Sequence, residues 1–407
     1  MSIPLAWPAA PAAAGPMLPA AAVAAAAQLT PRLFAHAPQS DHEGGFPHEE
    51  FGWLRAAGLL TAPLPTPLGG AGLNHPTHLA EQLRVLRHIG AGNLAVGRVY
   101  EGHLNALQLI ERFGTGEQLR RYAADAQAGH LFGVWNTEAQ DGVHLEPLPD
   151  GRFRLRGSKT FGSGAGQLTR PLLTGARPDG GWQLLVLPAD AQPPRLDPAF
   201  WQPLGMRATA SFRVDVTGLE IGPADLIGQP GDYYRQPWFS GGAVRFAAVQ
   251  LGGAAAVLDA TRGFLRGLGR TDDPYQRQRL GEMALLVESG QLWLTGAAAR
   301  YPAPEAEEAQ AEPIVAYANM VRSAIEDICL RVLQLAERSV GARGLLRPHP
   351  LERLHRDLTH YLRQPAPDAA LADVGRFALS HDAPAAQLWE PEQTAAPSAS
   401  SAASSAG

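Results

Sequence analysis

The hydrophobic periodicity of this chain changes twice, and that change limits its possible folds more than any other feature. Across residues 46–128 the period is helical: Leu79, Leu83, Leu86 and Ile89 recur at intervals of four, three and three, which places them on one face. The run PLGGAGL (67–73) breaks this pattern with turn-forming glycines. A helix is expected around 102–113, ended by Gly114, with Glu117 opening the next. Across residues 132–227 the signal is β. Pro149-Asp150-Gly151 reads as a turn, and Arg152-Phe153-Arg154-Leu155-Arg156 alternates strictly after it. Residues 182–187 read as a buried strand, and Phe212, Val214 and Val216 alternate with Arg213 and Asp215. From Gly241 onward helices return. Ile325, Ile328, Cys329, Val332, Leu333 and Ala336 form a helical stripe, and residues 246–265 are apolar or small nearly all round, as a helix inside a bundle would be.

These blocks predict an α+β protein. An N-terminal helical domain (46–130) leads to a central antiparallel β-barrel or sandwich (131–229) and a C-terminal helical bundle (230–382). Residues 1–45, rich in alanine and proline, are expected to form a mobile arm, and 383–407 a disordered Pro/Ser/Ala tail. No Lys or Arg precedes Arg32, so a secretory n-region is not expected, and the prolines of the first segment argue against a membrane span. A net charge of −5 gives no reason to expect nucleic acid as a partner. One cysteine, Cys329, excludes an intrachain disulfide or a multi-cysteine metal site, and a cytoplasmic setting is expected.

Short catalytic motifs are missing. The chain has no HExxH, CxxC, GxSxG or Walker A sequence, and Lys159, the only lysine beside 33 arginines, lies in GSKT without a preceding glycine. His75 and His78 lack an acidic partner, while His355 and His360 fall on different helix faces, so no metal site is expected. Cys329 sits on the core stripe and reads as a packed thiol. Residues 331–363 hold seven arginines against Glu337, Glu352 and Asp357. Within that cluster Arg356 and Arg363 are the candidates for an anionic substrate or cofactor, since a guanidinium fork matches phosphate and carboxylate oxygens.

Seven segments, in order, resemble the acyl-CoA dehydrogenase superfamily of flavoproteins. They are LRAAGLL (54–60), PLGGAGL (67–73), FGTGEQLRRY (113–122), GVWNTE (133–138), GSKTFGSGAG (157–166), PLGMRATAS (203–211) and GARGLLRPHPLERLHRD (341–357). The resemblance implies a flavin, FAD or alternatively FMN, between the β-domain and a C-terminal four-helix bundle. It implies that Trp135, Asn136, Thr137, Phe161, Gly162 and Ser163 flank the ring. It further implies a homo-oligomer, with a homotetramer usual for the fold. Arg270 stands where family members reach the partner subunit's cofactor.

The departures from the family bear on the reaction. Dehydrogenation of an acyl-CoA needs a base for the α-proton. The family's usual glutamate position falls on Pro365, and its second known base position on Val244. Asp368 is the nearest substitute. GSKTFGSGAG and THYLRQP (359–365) are also similar to the flavin-dependent monooxygenase branch of the fold, which uses reduced flavin and O2. In that alignment Ser163 sits near the reactive flavin edge and His103 is a pocket histidine, while Arg363 and Gln364 replace the branch's His and Asp. The main expectation is an acyl-CoA dehydrogenase-like oxidoreductase acting on an acyl-CoA or another apolar small molecule. The alternatives are a monooxygenase and a non-catalytic binding module. An electron-transfer partner would serve the first and a flavin reductase the second.

Overall fold

The computed structural model describes residues 17–301, 308 and 310–390. Its first helix corrects the expected arm. Helix α1 (Pro19–Ser40) buries Ala22, Val23, Ala26, Leu33 and Ala37 against helix α3 (Leu79–Gly92). The prolines suggested a loop, yet Pro19 occupies the first turn, where no N–H is needed, and the alanines carry the highest helix propensity. Residues 1–16 of that arm lie outside the described residues.

Helices α2 (His48–Ala56), α4 (Leu94–Phe113) and α5 (Gly116–Ala128) complete the N-terminal domain. Their ends follow local chemistry. The Asn93 side chain accepts from the amides of Ala95 and Val96, and Thr115 with Gln118 forms a reciprocal capping box.

The central domain holds strands β1 (Phe132–Trp135), β2 (His144–Pro147), β3 (Phe153–Arg156), β4 (Ser158–Gly162), β5 (Arg170–Ala176), β6 (Trp182–Val186), β7 (Arg195–Asp197), β8 (Phe212–Asp215), β9 (Glu220–Ile221) and β10 (Leu226–Ile227). One sheet runs β10-β6-β5-β2-β3-β9 with β1 on β5, and a second runs β4-β8-β7. The hairpin β2–β3 closes over the expected Pro-Asp-Gly turn. Pairing is mixed rather than purely antiparallel, because β1 runs parallel to β5 and β2 meets β5 in parallel at His144.

Helices α6 (Ala243–Gly267), α7 (Pro274–Arg300), α8 (Ala311–Val340), α9 (Pro350–Tyr361) and α10 (Pro367–Ser380) form the C-terminal bundle. Among the described residues, α6 is the one helix long and apolar enough to cross a membrane, and it is mostly buried among α3, α7, α8 and α9. It meets α3 backbone to backbone: a Cβ on Gly252 would lie 2.2 Å from the Arg87 carbonyl oxygen, and one on Gly90 would lie 2.3 Å from that of Val249. The stripe from Ile325 to Ala336 is buried on α8, Cys329 included. The expected tail also docks in part. Trp389 stacks on Phe377 at 5.0 Å, and its carbonyl accepts from Arg300 Nε at 2.7 Å. Residues 391–407 lie outside the described residues.

Candidate active site

A cavity of about 630 Å³ opens where the β-domain meets the helices. Asn136 and Thr137 enter it from the end of β1, and Phe161 and Ser163 from the end of β4. Trp201, Met206, Thr209 and Ser211 come from the segment before β8. The helical side contributes Arg98, Glu101 and Asn105 on α4, Arg245 and Phe246 on α6, Asn319 and Arg322 on α8, His360 and Tyr361 on α9, and the turn 363–366. The loop at 203–211 is held from behind. Asp357 Oδ1 accepts from the Met206 amide at 2.7 Å, and a Cβ on Gly205 would lie 2.1 Å from the Arg356 carbonyl oxygen, so the loop rests directly on the backbone of α9.

Backbone strain gathers at this cavity. Four non-glycine residues have positive φ among the described residues: Phe161 (52°), Met206 (60°), Ala210 (43°) and Ala366 (52°). Three of them line the cavity, and Ala210 lies between the lining residues Thr209 and Ser211. Each such conformation costs on the order of 1–3 kcal/mol and persists where surrounding contacts enforce it, often at functional sites. Phe161 remains half-exposed, with its ring edge-on to Phe200 at 5.2 Å and Trp201 at 6.2 Å.

The hydroxyls form a directed chain. Thr209 Oγ1 donates to the Met206 carbonyl oxygen at 2.9 Å, so it must accept from Ser211 Oγ at 2.7 Å. Ser211 in turn accepts from Ser163 Oγ at 2.9 Å. Ser163 therefore turns lone pairs toward the cavity. Its carbonyl accepts from Trp135 Nε1 at 3.0 Å, which fixes that loop.

A second network sets Asn136. The ammonium of fully buried Lys159 bonds the carboxylate of Glu138 and donates to Thr174 Oγ1 at 3.1 Å, and Thr174 then donates to Asn136 Oδ1 at 2.7 Å. Opposite it lies a buried charge cluster. Glu101 accepts from Arg245 Nε at 3.2 Å and from Arg98 Nη1 at 3.1 Å, while Arg245 also donates to Gln108 and Asn105. His360 stands edge-on to Trp201 at 5.3 Å, and burial lowers its pKa, which favours the neutral ring.

Of the residues expected from sequence, Asn136, Thr137, Phe161, Ser163 and Arg363 line the cavity together. Trp135 and Gly162 lie directly behind it, the latter within 3.6 Å of the former if given a Cβ. Four do not join them. Asp368 is exposed in the first turn of α10 and lies outside the lining. Arg356 is taken up by Asp41 at 2.6 Å and by Glu352 at 2.8 Å, so it ties α1 to α9 instead of meeting an anion. Arg270 sits in the exposed turn after α6, outside this chain's own lining, and its expected reach is toward a partner subunit. Arg363 reaches the cavity but pairs with Glu326 at 2.7 Å.

His103 is the fourth, and it is structural. It is fully buried outside the lining: Nδ1 accepts from the Phe132 amide at 3.2 Å, so Nε2 carries the proton and donates to the Leu60 carbonyl oxygen at 2.8 Å. Burial pushes its pKa down to about 4. A folded-state pKa below the unfolded value means full stabilisation above about pH 6.5 and loss as the pH falls toward 4. About 2 kcal/mol is expected to be gone by pH 5. Glu111, which burial raises to about 7, acts in the opposite direction. Comparison of wild type with His103→Gln by denaturant unfolding at pH 7 and pH 5 isolates the histidine. The variant should lose about 2 kcal/mol less over that interval, and equal losses would assign the acid sensitivity elsewhere.

Sequence reading passed over Ser211, Thr209, Asn105, Glu101, Arg245, His360 and Tyr361 as site residues. The first two stand in the PLGMRATAS segment, where the hydroxyl spacing was a usable signal. Glu101 and Arg245 are 144 residues apart, and no local pattern links them.

A helical domain, a β-domain and a helical bundle closing on one shared cavity define a class that the family models name. The model for the acyl-CoA dehydrogenase N-terminal domain matches residues 20–130, and that for the acyl-CoA dehydrogenase C-terminal domain matches residues 244–362. Together they span more than half of the chain, and the chain belongs to the acyl-CoA dehydrogenase family. Among curated relatives, the dibenzothiophene monooxygenase of Mycolicibacterium goodii is 27% identical over 402 residues, covering 88% of this chain and 94% of its own. Among solved structures, FMN-bound TdsC from Paenibacillus sp. A11-2 aligns with a TM-score of 0.78 at 22% identity, over 91% of this chain and 100% of its own. Butyryl-CoA dehydrogenase from Megasphaera elsdenii aligns with a TM-score of 0.76 at 18% identity, over 89% and 98%.

Proposed function

We propose that the chain is a flavin-dependent monooxygenase that takes reduced flavin and O2 and transfers one oxygen atom to a small organic substrate. The observation that carries this reading is the state of the carboxylates around the cavity. Pro365 lines it where a dehydrogenase would need its base, and the buried carboxylate of the lining, Glu101, is held by two arginines. Asp373, also in the lining, is exposed and faces Arg376 at 3.6 Å. The names of the relatives support the same direction, since the curated set includes dibenzothiophene monooxygenases and a probable FMNH2-dependent monooxygenase of Pseudomonas putida.

The lining fits a flavin ring. Ser163 offers an acceptor, Asn136 an amide, and Phe161 and Trp201 aromatic surface. FMN is bound in the Paenibacillus relative, and FAD is the alternative. Bound there in its reduced form, the flavin would supply the two electrons by which O2 yields one oxygen atom to substrate and one to water. The lone pairs of Ser163 suit an N–H, and the reduced ring carries at least one more N–H than the oxidised ring. His360, neutral through burial, can hold a proton on one ring nitrogen and accept at the other. Phe161, Trp201 and Phe246 supply the aromatic surface of the lining.

Turnover with a reductase, FMN and 18O2, using dibenzothiophene and indole as trial substrates, should give products heavier by one labelled oxygen. Failure to oxygenate, together with anaerobic bleaching of the bound flavin by butyryl-CoA, would establish the dehydrogenase reading instead. A chain that retains no flavin of either kind would be a binding module. Ser163→Ala should weaken binding of reduced FMN about 5–10-fold, in line with the loss of one hydrogen bond worth about 1 kcal/mol. Oxidised FMN should be affected less. An anaerobic titration with equal affinities for both variants would remove Ser163 from the site.

A further inference from the structure

The wall of this cavity formed by α4, α6 and α9 has a one-sided hydrogen-bonding inventory. Both oxygens of Glu101, itself 6% exposed, accept from arginines. Asn105 Oδ1 accepts from Arg245 Nη2 at 2.7 Å, and a guanidinium can only donate, so the amide is oriented with its Nδ2 away from that arginine. Across the cavity, at the end of β1, Asn136 is oriented in the same way: Lys159 donates to Thr174, whose proton must then go to Asn136 Oδ1. Two cations thus commit the amide oxygens and leave the amide hydrogens. On the α9 side stands Tyr361, a lining residue 3% exposed, whose buried hydroxyl meets no hydrogen-bond partner among the described residues. A buried hydroxyl without a partner is costly to desolvate, and a bound acceptor would offset that cost. The cluster Arg98–Glu101–Arg245 carries one positive charge in excess.

We infer that this wall is a substrate subsite for an oxygen acceptor, a carbonyl or a carboxylate, and that Tyr361 and Asn105 determine specificity for it. The substrate class is then a small apolar molecule bearing such a group, bound in preference to the unsubstituted heteroaromatics used as trial substrates above. This rests on the reading of the cavity as the flavin and substrate site.

The test uses flavin-loaded protein and three probes of one shape: 2-naphthoate, 2-naphthamide and 2-methylnaphthalene, with dissociation constants measured by calorimetry. At least one of the two oxygen-bearing probes should bind about 10-fold more tightly than the methyl compound. Tighter binding of the carboxylate would assign an oxyanion, and equal binding a neutral carbonyl. Tyr361→Phe should weaken both oxygen-bearing probes about 5–20-fold and leave 2-methylnaphthalene within about twofold, with a thermal midpoint no lower than wild type. Asn105→Asp keeps the acceptor for Arg245 but replaces the donor with negative charge, and should weaken 2-naphthoate more than 10-fold. Preference for the methyl compound, or equal weakening of all three probes by Tyr361→Phe, would overturn the inference. So would flavin-loaded protein that binds none of the probes. Protein that takes up no flavin would instead overturn the underlying functional reading.

Discussion

Replacing Arg245 with leucine is expected to destabilise the protein by about 3–5 kcal/mol, the usual cost of removing one partner from a buried ion pair. The side chains of Arg245 and Glu101 are 8% and 9% exposed, so water can compensate neither when the other is lost. The change removes more than one contact. Glu101 would keep only Arg98, whose side chain is 30% exposed, and Gln108 Oε1 and Asn105 Oδ1 would each lose a charged donor. Leucine fills much of the volume but pairs with none of these oxygens. The cost should come mainly from the stranded carboxylate, so Glu101→Gln in the Arg245→Leu background should recover part of it. Denaturant unfolding of the two single variants and the double variant measures this coupling. Additive losses would mean that the two side chains act independently.

Lys159→Met should cost about 3 kcal/mol, toward the lower end of that range because the Glu138 side chain is 29% exposed and the Val143 amide still donates to it at 3.0 Å. The lysine is fully buried, and it bonds Glu138, Thr174 and the Asn136 carbonyl oxygen. Its loss should also free the Asn136 amide to rotate, so weaker flavin or substrate binding should accompany the lower stability. Lys159→Arg should not restore the wild type, since a planar guanidinium needs a wider socket than a compact ammonium. Because Lys159 is the only lysine, its burial is directly readable. An amine-acylating reagent should modify it in denatured protein and spare it in native protein, and mass spectrometry distinguishes the two. Labelling of the native protein at the same rate would contradict the burial.

The expectation for this lysine shows where sequence reading stopped. In the sequence Lys159 stands out only as the single lysine, outside any Walker A motif, because nothing within a few residues of GSKT indicates that Glu138 and Thr174 close around the side chain. His103 shows the converse. A resemblance placed it in the pocket, whereas packing put it between the Leu60 carbonyl and the Phe132 amide, with no face toward the cavity. The part of the alanine-rich N-terminal segment from Pro19 to Ser40 was misread for a third reason. Its prolines signal a loop locally, but burial of an alanine face on α3 outweighs that signal.

By itself, the sequence determined the order of helical, β and helical domains, the helix end at Gly114, the hairpin turn at Pro149-Asp150-Gly151, the α8 stripe and the family. Each is encoded within one or two turns of chain or in a motif, where backbone sterics and periodicity act locally. Tertiary structure alone decided that Ser163 meets Ser211, that Arg245 crosses to Glu101, and that Tyr361 joins the lining with its hydroxyl unpartnered among the described residues. Those contacts join segments 48 and 144 residues apart or depend on which helix faces the β-domain. They come into being only when the domains pack, because burial turns a side chain that would be solvated in the free segment into one that must find a partner or await a ligand.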